Sequence, residues 1–515
     1  TKKGRLEISN SRSVDWAGNI NGAFNKLTEN NSLISMIIGA EIRKNRSENS
    51  SLKAAGFYDD ALNFIGHATG YPTDSKNKPS GNQDLSTEVG FFANANYMYN
   101  NRYYADFVYR LSGSSKFGSN QRYGQFWSGG LGWNLHNENF LKFEKLNLLK
   151  IRGSVGYTGK VNFEPFQSIT MYKYENTLEY LHGIGAIPQT IGNDDLKWER
   201  EFSYNIGADI SLFDRRLNAT LDFYLKRTKD LVLDASIAPS TGVVSGKQNI
   251  GEMENKGFEF SVDGFIIQRN DVWWQLGMNG STNKNRILKI SNALKRQNEL
   301  NNDVAPTRQT PAPLAQYEEG ESTSALKVVR SAGIDPATGR EVFIKLDGTR
   351  TFTYSADDKV VVGDTDPRFY GNVYTNVFYK GFSLYIMGSF KCGGYLYNVT
   401  RASRVEGTTG RTNVDRRAFD SRWKEVGDIA LYRNITEHSV PQQTDRFVEK
   451  ENVLTITSVN LGYEFPQRIC QKMMLRNLRL GVNLSDILRF SNVKVERGLD
   501  YLYGNGFEFT LSTTF

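Results

Sequence analysis

The strongest pattern in the sequence is a two-residue alternation of apolar and polar residues between positions 201 and 226. Two alternating runs are joined there by the tight charged turn FDRR at 213–216. The apolar positions are Phe202, Tyr204, Ile206, Ala208, Ile210 and Leu212 in the first run and Leu217, Ala219, Leu221, Phe223 and Leu225 in the second. Because successive side chains of a strand point to opposite sides, each run predicts a strand with one apolar and one polar face.

The length of these runs bears on the class of protein. Each is about ten residues long, which is what a tilted strand of roughly 9–11 residues needs to cross the hydrocarbon layer, whereas strands in soluble sheets average about five or six. A soluble antiparallel sandwich would show the same alternation. The hairpin alone therefore leaves both architectures open.

The connections between the predicted strands separate the two architectures. Short connections are predicted at 28–31, 100–101, 137–147, 213–216, 269–271, 379–381 and 464–475, and long ones at 43–83, 158–196, 234–249, 285–366, 398–450 and 489–505, with an intermediate one at 113–121. Short turns at one end and long loops at the other are typical of outer-membrane barrels, and a soluble sandwich has no reason to segregate them. The pattern predicts an all-β, antiparallel transmembrane β-barrel with short periplasmic turns and long extracellular loops.

The strand count and the two largest insertions complete this prediction. We count about sixteen strands, an even number that would place both chain ends at the periplasmic, short-turn side. The insertion at 285–366 is too long to be unstructured in a compact domain, and Asp347-Gly348 inside it is a turn signal. We therefore expect a small extracellular hairpin formed by 341–346 and 350–354, and a second large extracellular loop at 398–450.

Composition excludes several other classes of protein. The mean hydropathy is −0.49 and no apolar run approaches twenty residues, which excludes a helical membrane protein but not a barrel, whose alternating faces cancel in any sequence window. The net charge is +7, but Lys and Arg are scattered among Asp and Glu, so nucleic-acid binding is not indicated. The two cysteines, Cys392 and Cys470, lie far apart and predict neither a disulfide framework nor a metal site.

Residues with catalytic potential form no recognisable motif. The four histidines are isolated, and the sequence contains no HExxH, GxSxG or CxxC motif. Four carboxylates on the central strands resemble acid–base pairs, but they occupy the polar positions of alternating strands, where contact with water explains them. They are Asp209, Asp222, Glu259 and Asp263. We predict no enzymatic activity, no cofactor and no metal.

Several stretches resemble motifs of the SusC/RagA-type TonB-dependent outer-membrane transporters. They are SGSSKFG at 112–118 with the later Trp127 and Gly132-Trp133, LKIRGSVGYTG at 149–159, NDDLKWE at 193–199, NKGFE at 255–259 and VGDTDPRFYG at 362–371. In the same order, the family patterns are DGSSRFG…GW, LKLRASYGxTGN, NPxLKWE, NKGxE and IGxxxPxFxGG. Ser112 replaces the leading Asp of the first pattern, and Lys160 replaces the Asn that ends the second. Phe515 matches the carboxy-terminal aromatic residue that the assembly machinery reads in such barrels.

The resemblance implies an architecture and a function for the whole protein. The chain, 1–515, would be the C-terminal part of a barrel of about 22 strands, with the N-terminal plug domain and its TonB-contacting segment absent from it. A chain that begins at Thr1 without a signal peptide agrees with a processed product or a fragment. The implied function is import of oligosaccharides or peptides across the outer membrane. A SusD-like surface lipoprotein would close the barrel as a lid, and TonB-ExbB-ExbD would act through the plug.

Ligand contact is predicted from aromatic residues with polar neighbours in a loop. Tyr172, Tyr174 and Tyr180 alternate with charged and amide residues, and stacking combined with hydrogen bonding suits sugars. An interface girdle or loop packing would use the same residues. Two other functions also stay open at this stage, a passive outer-membrane pore and a surface adhesion barrel.

Overall fold

The molecule consists mainly of β-strands. The computed structural model describes residues 4–59, 61, 64–70, 79–180, 183–237, 239–305, 311–408, 414–494 and 504–514. The strands are β1 (Gly4–Leu27), β2 (Ser32–Phe57), β3 (Ser80–Tyr99), β4 (Tyr103–Ser114), β5 (Tyr123–Asn134), β6 (Leu146–Lys160), β7 (Met171–Tyr180), β8 (Gly183–Thr190), β9 (Glu199–Leu212), β10 (Leu217–Ser236), β11 (Ser245–Arg269), β12 (Val272–Lys289), β13 (Ala325–Ile334), β14 (Glu341–Ile344), β15 (Arg350–Thr351), β16 (Lys359–Asp364), β17 (Phe369–Tyr379), β18 (Phe382–Tyr397), β19 (Val448–Glu464), β20 (Asn477–Ser491) and β21 (Gly506–Thr514). The all-β prediction is confirmed.

Fifteen strands form one antiparallel sheet. Its order is β1-β2-β3-β4-β5-β6-β9-β10-β11-β12-β17-β18-β19-β20-β21, so each strand pairs with its neighbour along the chain once the loop strands are set aside. Among the described residues β1 and β21 do not pair with each other, and the sheet is open. The described residues contribute fifteen strands to this sheet, where about sixteen were expected. Because fifteen is odd, β1 begins at the long-connection end, whereas β21 finishes at the short-turn end. The expectation that the first strand begins at the short-turn end is therefore wrong.

Several strands extend beyond their apolar runs. The segment 43–83 was predicted to be a loop, but β2 continues to Phe57 and β3 begins at Ser80. In this polar part Arg12 pairs with Glu48 and Asn45 with Ser86. The ladder hydrogen bonds connect backbone groups, so pairing persists where the side chains are polar. The predicted long connection at 234–249 shrinks to 237–244 for the same reason.

The register gives the large sheet one apolar and one polar face. Phe223 lies opposite Ile206 on one side and Phe258 on the other, and the intervening Asp222 lies opposite Gly207 and Glu259. The apolar face carries Tyr204, Ile206, Phe223, Leu276, Leu461, Leu480 and Phe509, which are between 38% and 80% exposed. Within the described residues this face is therefore not covered by a second layer of protein, as it would be in a sandwich.

Aromatic side chains form a band near each end of the apolar face. The short-turn band contains Tyr99, Tyr103, Trp133, Tyr379, Phe382 and Tyr463, and the long-loop band contains Trp127, Tyr157, Phe202, Phe258, Phe260, Phe369 and Phe390. The stretch of β9 from Phe202 to Leu212 spans about 33 Å of strand, or about 25 Å when tilted as in a barrel wall. Two aromatic bands at this separation are what the two interfaces of a membrane favour.

The remaining elements lie in the connections, all but α3 in the long ones. They are the hairpin β7–β8, a four-stranded sheet in the order β15-β14-β13-β16, the helices α1 (Asn292–Val304), α2 (Arg417–Asp420) and α3 (Gln467–Lys472), and a π-helical turn at Arg401–Glu406. Strands β14 and β15 pair across a turn in which Gly348 has a φ of 85°. In the part of the chain that the structure describes, no helix has the length and apolar character needed to cross a membrane.

Candidate functional site

Three of the acidic residues on the polar face are held by side chains of neighbouring strands. Arg152 on β6 contacts Asp209 on β9 at 3.2 Å and Asp222 on β10 at 2.7 Å. Asp263 on β11 accepts hydrogen bonds from Asn218 at 3.2 Å and from a glutamine of β12 at 3.3 Å. These carboxylates therefore form a continuous polar wall and not an isolated acid–base pair.

The polar face also contains two cavities lined by hydrogen-bonding groups. The larger, 570 Å³, lies across β17–β21 and is lined among others by Tyr385, Asn460, Arg479 and Glu508. The smaller, 310 Å³, lies across β10–β17 and includes Asp222 and Glu259. Amides, hydroxyls and paired charges of this kind can hydrogen-bond a passing polar solute without trapping it, because each group is already partly satisfied.

The structure places two of the predicted ligand-contact tyrosines together. Tyr172 and Tyr174 lie on β7, opposite Pro188 and Ala186 of β8, and the two-residue spacing directs both rings to one side of the hairpin. The side chains are 65% and 73% exposed. The side chain of Tyr180 and all of Phe515 lie outside the described residues. The hairpin therefore offers an exposed pair of rings, and its contact with a ligand stays a prediction.

Two of the family-like motifs meet at the base of this hairpin. Gly118 N–H donates to Leu196 O at 2.9 Å, and Asn120 N–H donates to Asp194 O at 3.1 Å. Phe117, which is 1% exposed, packs against Trp198 with ring centroids 4.3 Å apart. A side chain at position 118 would put its Cβ 2.1 Å from the Asp194 carbonyl oxygen, so only glycine fits there. The sequences SGSSKFG and NDDLKWE thus form a single packed junction.

The two large insertions pack into a single unit. We call the described residues of 311–366 and 398–447 the loop body. Its apolar core joins Leu326 and Val328 of β13 to Tyr397, Ala402 and Phe447. A main-chain hydrogen bond also joins the two insertions, because Val329 N–H donates to Gln443 O at 3.0 Å. The insertions were predicted as two separate loops, and the structure shows that they share a core.

A buried cluster of ion pairs also links the two insertions. Arg446 donates to Glu341 at 2.8 Å and to both carboxylate oxygens of Glu406, at 2.6 and 2.7 Å. Arg433 donates to Glu406 at 2.8 Å. All four side chains are at most 12% exposed. Sequence analysis missed this cluster, since its members lie in four separate segments and share no spacing motif.

Neighbouring groups and burial shift the pKa values in this cluster. Burial raises the pKa of the Glu406 carboxyl above its ordinary value, and the adjacent Arg446 opposes that shift. Burial acts to lower the pKa of Arg446, but Glu341 and Glu406 outweigh it and hold the value above that of an ordinary arginine. Both oxygens of Glu406 accept from guanidinium groups, which is the geometry of an ionised carboxylate. The ion pairs of the cluster therefore hold the two insertions together in a low-dielectric interior.

Metal binding has no visible basis in the described ranges. No group of three or more His, Cys, Asp or Glu side chains within them is arranged to hold a metal ion. Cys392 is partly exposed on β18, and Cys470 is buried in α3, where its thiol lies 3.5 Å from Phe465 O. The polar wall and the β7–β8 hairpin offer hydrogen bonding, ion pairing and exposed aromatic rings.

Comparison with known proteins places this architecture in a family. Residues 4–483 match the family model described as TonB dependent receptor-like, beta-barrel. TonB-dependent receptor P3 of Formosa agariphila is 28% identical over 491 residues, which is 91% of this chain and 48% of that protein. TonB-dependent receptor SusC of Bacteroides thetaiotaomicron is 35% identical over 214 residues, which is 40% of this chain and 21% of that protein. The chain spans about half the length of the curated relatives that it matches along most of its length.

Solved structures agree with the sequence comparison at the level of the fold. The RagAB peptide transporter superposes with a TM-score of 0.80 and 22% sequence identity, covering 95% of this chain and 53% of that one. The structure of the RagAB peptide importer in the open-open state gives a TM-score of 0.79, with 24% sequence identity, and covers 96% of this chain and 52% of that one. The resemblance to SusC/RagA-type transporters is thereby confirmed. The chain belongs to the TonB-dependent receptor family, and it corresponds to β-barrel sequence of the SusC/RagA type.

Proposed function

We propose that the protein containing this chain imports oligosaccharides or peptides across the bacterial outer membrane with energy supplied through TonB. The observation that carries the proposal is that the large sheet of this TonB-dependent receptor chain has one apolar face and one polar face. The apolar face with its two aromatic bands faces lipid, and the polar wall around Arg152, Asp209 and Asp222 faces a water-filled lumen. The short turns then lie in the periplasm together with the C-terminus, and the loop body lies outside the cell.

A surface lipoprotein is the proposed partner of the loop body. Five apolar side chains of its second segment are strongly exposed, namely Phe419, Val426, Ile429, Leu431 and Ile435, with Ile429 at 97%. An exposed apolar group of this kind favours contact with another protein. The RagAB and SusC relatives support a SusD-like lipoprotein in this role, closing over the barrel mouth as a lid. TonB-ExbB-ExbD would act through a plug domain, and the chain matches only about half of the length of these relatives.

The proposal is tested by uptake of labelled oligosaccharides and peptides in cells that carry the full-length gene. Uptake of one of the two classes is expected, and it is expected to stop when TonB is inactivated and to fall when the partner lipoprotein is deleted. Uptake that continues without TonB and follows the external concentration would instead support the alternative, a passive pore. Cell adhesion lost on gene deletion, with no change in uptake, would support an adhesion barrel.

Ligand contact by the β7–β8 hairpin is the first prediction for a variant. Replacing both Tyr172 and Tyr174 by alanine removes two exposed rings from one side of the hairpin. Because each aromatic contact is worth roughly 0.5–1.5 kcal/mol, ligand affinity should fall about tenfold. Isothermal titration of the purified full-length protein with the transported ligand measures this change.

The matched control for these two tyrosines is Tyr123→Ala. Tyr123 is also 65% exposed and lies near the same end of the sheet, but it begins β5 on the apolar face. Its replacement should leave ligand affinity unchanged. Equal affinities of the wild type and the Tyr172→Ala, Tyr174→Ala double variant would show that the hairpin does not contact ligand.

A further inference from the structure

Four basic side chains lie together beyond the long-loop aromatic band of the apolar face. Lys256 lies two residues from Phe258 on β11, Lys284 and Arg286 follow on β12, and Arg368 directly precedes Phe369 of β17. Alternation along β11 and β12 puts the first three on the same side of the sheet as Phe258 and Phe260. All four line one cavity of 830 Å³. We call these four residues the basic patch.

The cavity is bounded by the sheet and by the loop body. Its far side consists of residues 320–325, of β16 around Gly363 and of Tyr395 on β18. The cavity therefore has a floor made by strands of the sheet and a roof made by the first insertion. A group that enters it from the apolar face meets the aromatic band first and the basic patch next.

The protein compensates the positive charges of the patch only in part. Among the described residues, none of Lys256, Lys284, Arg286 and Arg368 has a carboxylate within ion-pair distance or a side-chain hydrogen bond, and all four are exposed. Three acidic residues also line the cavity, but Glu321 is paired with the buried Lys327 at 2.7 Å and Asp364 accepts from a main-chain N–H at 3.0 Å. Glu254 lies directly opposite Arg286 across β11 and β12, and a main-chain N–H does not cancel the charge of Asp364. The four basic side chains thus face two carboxylates that no other cation pairs with, which leaves the cavity with an excess of positive charge.

The register makes this arrangement costly in the absence of an anion. Lys256 lies directly opposite Lys284 across β11 and β12. Like charges at directly opposed positions destabilise a sheet, whereas an anion between them converts repulsion into two attractions. Farther along β11 from the aromatic band, Glu252 pairs with Arg227 of β10, and Glu254 lies opposite Arg286 of β12. The sheet therefore places carboxylates beside its other cations here but none directly opposite Lys256 and Lys284.

The height of the patch indicates which anion fits. Aromatic bands lie at the level of the lipid headgroups, and basic residues just beyond them attract anionic headgroups. We infer that the basic patch binds the phosphate groups of an anionic lipid of the outer leaflet, whose acyl chains lie along the apolar face below Phe258, Phe260 and Phe369. This inference rests on the proposed placement of the sheet in the outer membrane. The lipid would tie the first insertion to the barrel wall at the mouth of the lumen.

The test uses the full-length protein in mild detergent, with a diphosphorylated lipid A or phosphatidylcholine added as the probe. Native mass spectrometry counts the lipids that stay bound. The wild type should retain the phosphorylated lipid in preference to phosphatidylcholine, and added salt should weaken this preference. In the Lys256→Gln, Lys284→Gln double variant the affinity for the phosphorylated lipid should fall about 30-fold, as expected for the loss of two headgroup contacts.

The control is Lys226→Gln. Lys226 is exposed and lies opposite Asn255 on the adjacent strand, one residue from Lys256, but on the polar face of the sheet. Its replacement should leave lipid retention unchanged. Equal loss in the control and the double variant, or no loss in the double variant, would overturn the inference. Inorganic phosphate that binds the wild type while lipid does not would also overturn it, because the patch would then be a site for a free anion.

Failure of the inference can be told apart from failure of the proposed function. A protein that inserts into phosphatidylcholine nanodiscs but shows no preference for the phosphorylated lipid contradicts only the lipid site. A protein that stays monodisperse in water without detergent contradicts the membrane placement itself. In that case the basic patch has no lipid to bind.

Discussion

Replacing Glu406 by glutamine should open the loop body, with a loss of about 3–5 kcal/mol in its local free energy of unfolding. The Glu406 side chain is fully buried and accepts from both Arg433 and Arg446. Glutamine keeps the shape but removes the charge, and its amide nitrogen would face a guanidinium group. Arg446 would keep Glu341, but Arg433 would be left with Ser439 as its hydrogen-bond partner and no carboxylate at its side. Hydrogen exchange of the amides of β13 and of residues 440–447 measures the opening, because these segments bond to each other across the two insertions.

An exposed ion pair of the same loop body provides the control. Arg416 and Asp420 are 3.0 Å apart, but their side chains are 91% and 50% exposed. Pairs of this kind contribute about 0.3–0.5 kcal/mol, so Asp420→Asn should leave hydrogen exchange nearly unchanged. Wild-type exchange rates in the Glu406→Gln variant would mean that the apolar core around Phe447 holds the insertions together without the ion cluster.

The large sheet could be predicted because its signal is local. In the hairpin of β9 and β10, Leu212 pairs with Leu217 and Ile206 with Phe223, so the alternation of each strand fixes which residues share a face. A shift of one residue would move every apolar side chain to the polar side, which is why the pattern also specifies the register. The same reasoning predicted the polar positions of Asp209 and Asp222.

The ends of the strands could not be predicted in this way. Beyond the apolar runs the sheet continues on backbone hydrogen bonds, and polar pairs such as Arg12 and Glu48 carry no periodic signal. Turn residues such as Asn100, with a φ of 48°, mark only the short connections. The error at 43–83 follows from taking the end of hydrophobic alternation as the end of a strand.

The tertiary contacts at the loop end were also beyond the reach of the sequence pattern. Glu341, Glu406 and Arg446 come together through folding of two insertions, and each of them alone resembles a solvated charge. The basic patch illustrates the same limit, because Lys256 and Lys284 become neighbours only through the pairing of β11 with β12. By contrast, Tyr172 and Tyr174 could be selected as candidates from sequence, since they are near neighbours along one strand, and their contact with ligand stays a prediction.

Replacing Phe117 by alanine should cost about 3–5 kcal/mol at the junction between the connections 115–122 and 161–198, as other large-to-small changes of buried aromatic residues do. Phe117 is 1% exposed and packs between Trp198, at 4.3 Å, and Phe163, at 5.3 Å, between ring centroids. The cavity left by its ring cannot be filled by the neighbouring turn, because Gly118 is already held against the Asp194 carbonyl. The amides of Gly118 and Asn120, which donate to Leu196 and Asp194, should therefore lose protection from hydrogen exchange.

The effect of Phe117→Ala should reach the ligand-contact hairpin, because β7 and β8 are inserted between β6 and this junction. Ligand affinity should fall even though Tyr172 and Tyr174 are intact, since an untethered hairpin must be ordered again on binding. Phe143→Ala is the control, because Phe143 is 60% exposed in the short connection at the opposite end of the sheet and its loss should change neither exchange nor affinity. Exchange that increases at Gly118 with no change in ligand affinity would separate the two roles. It would show that the junction stabilises the barrel mouth but does not position the tyrosines.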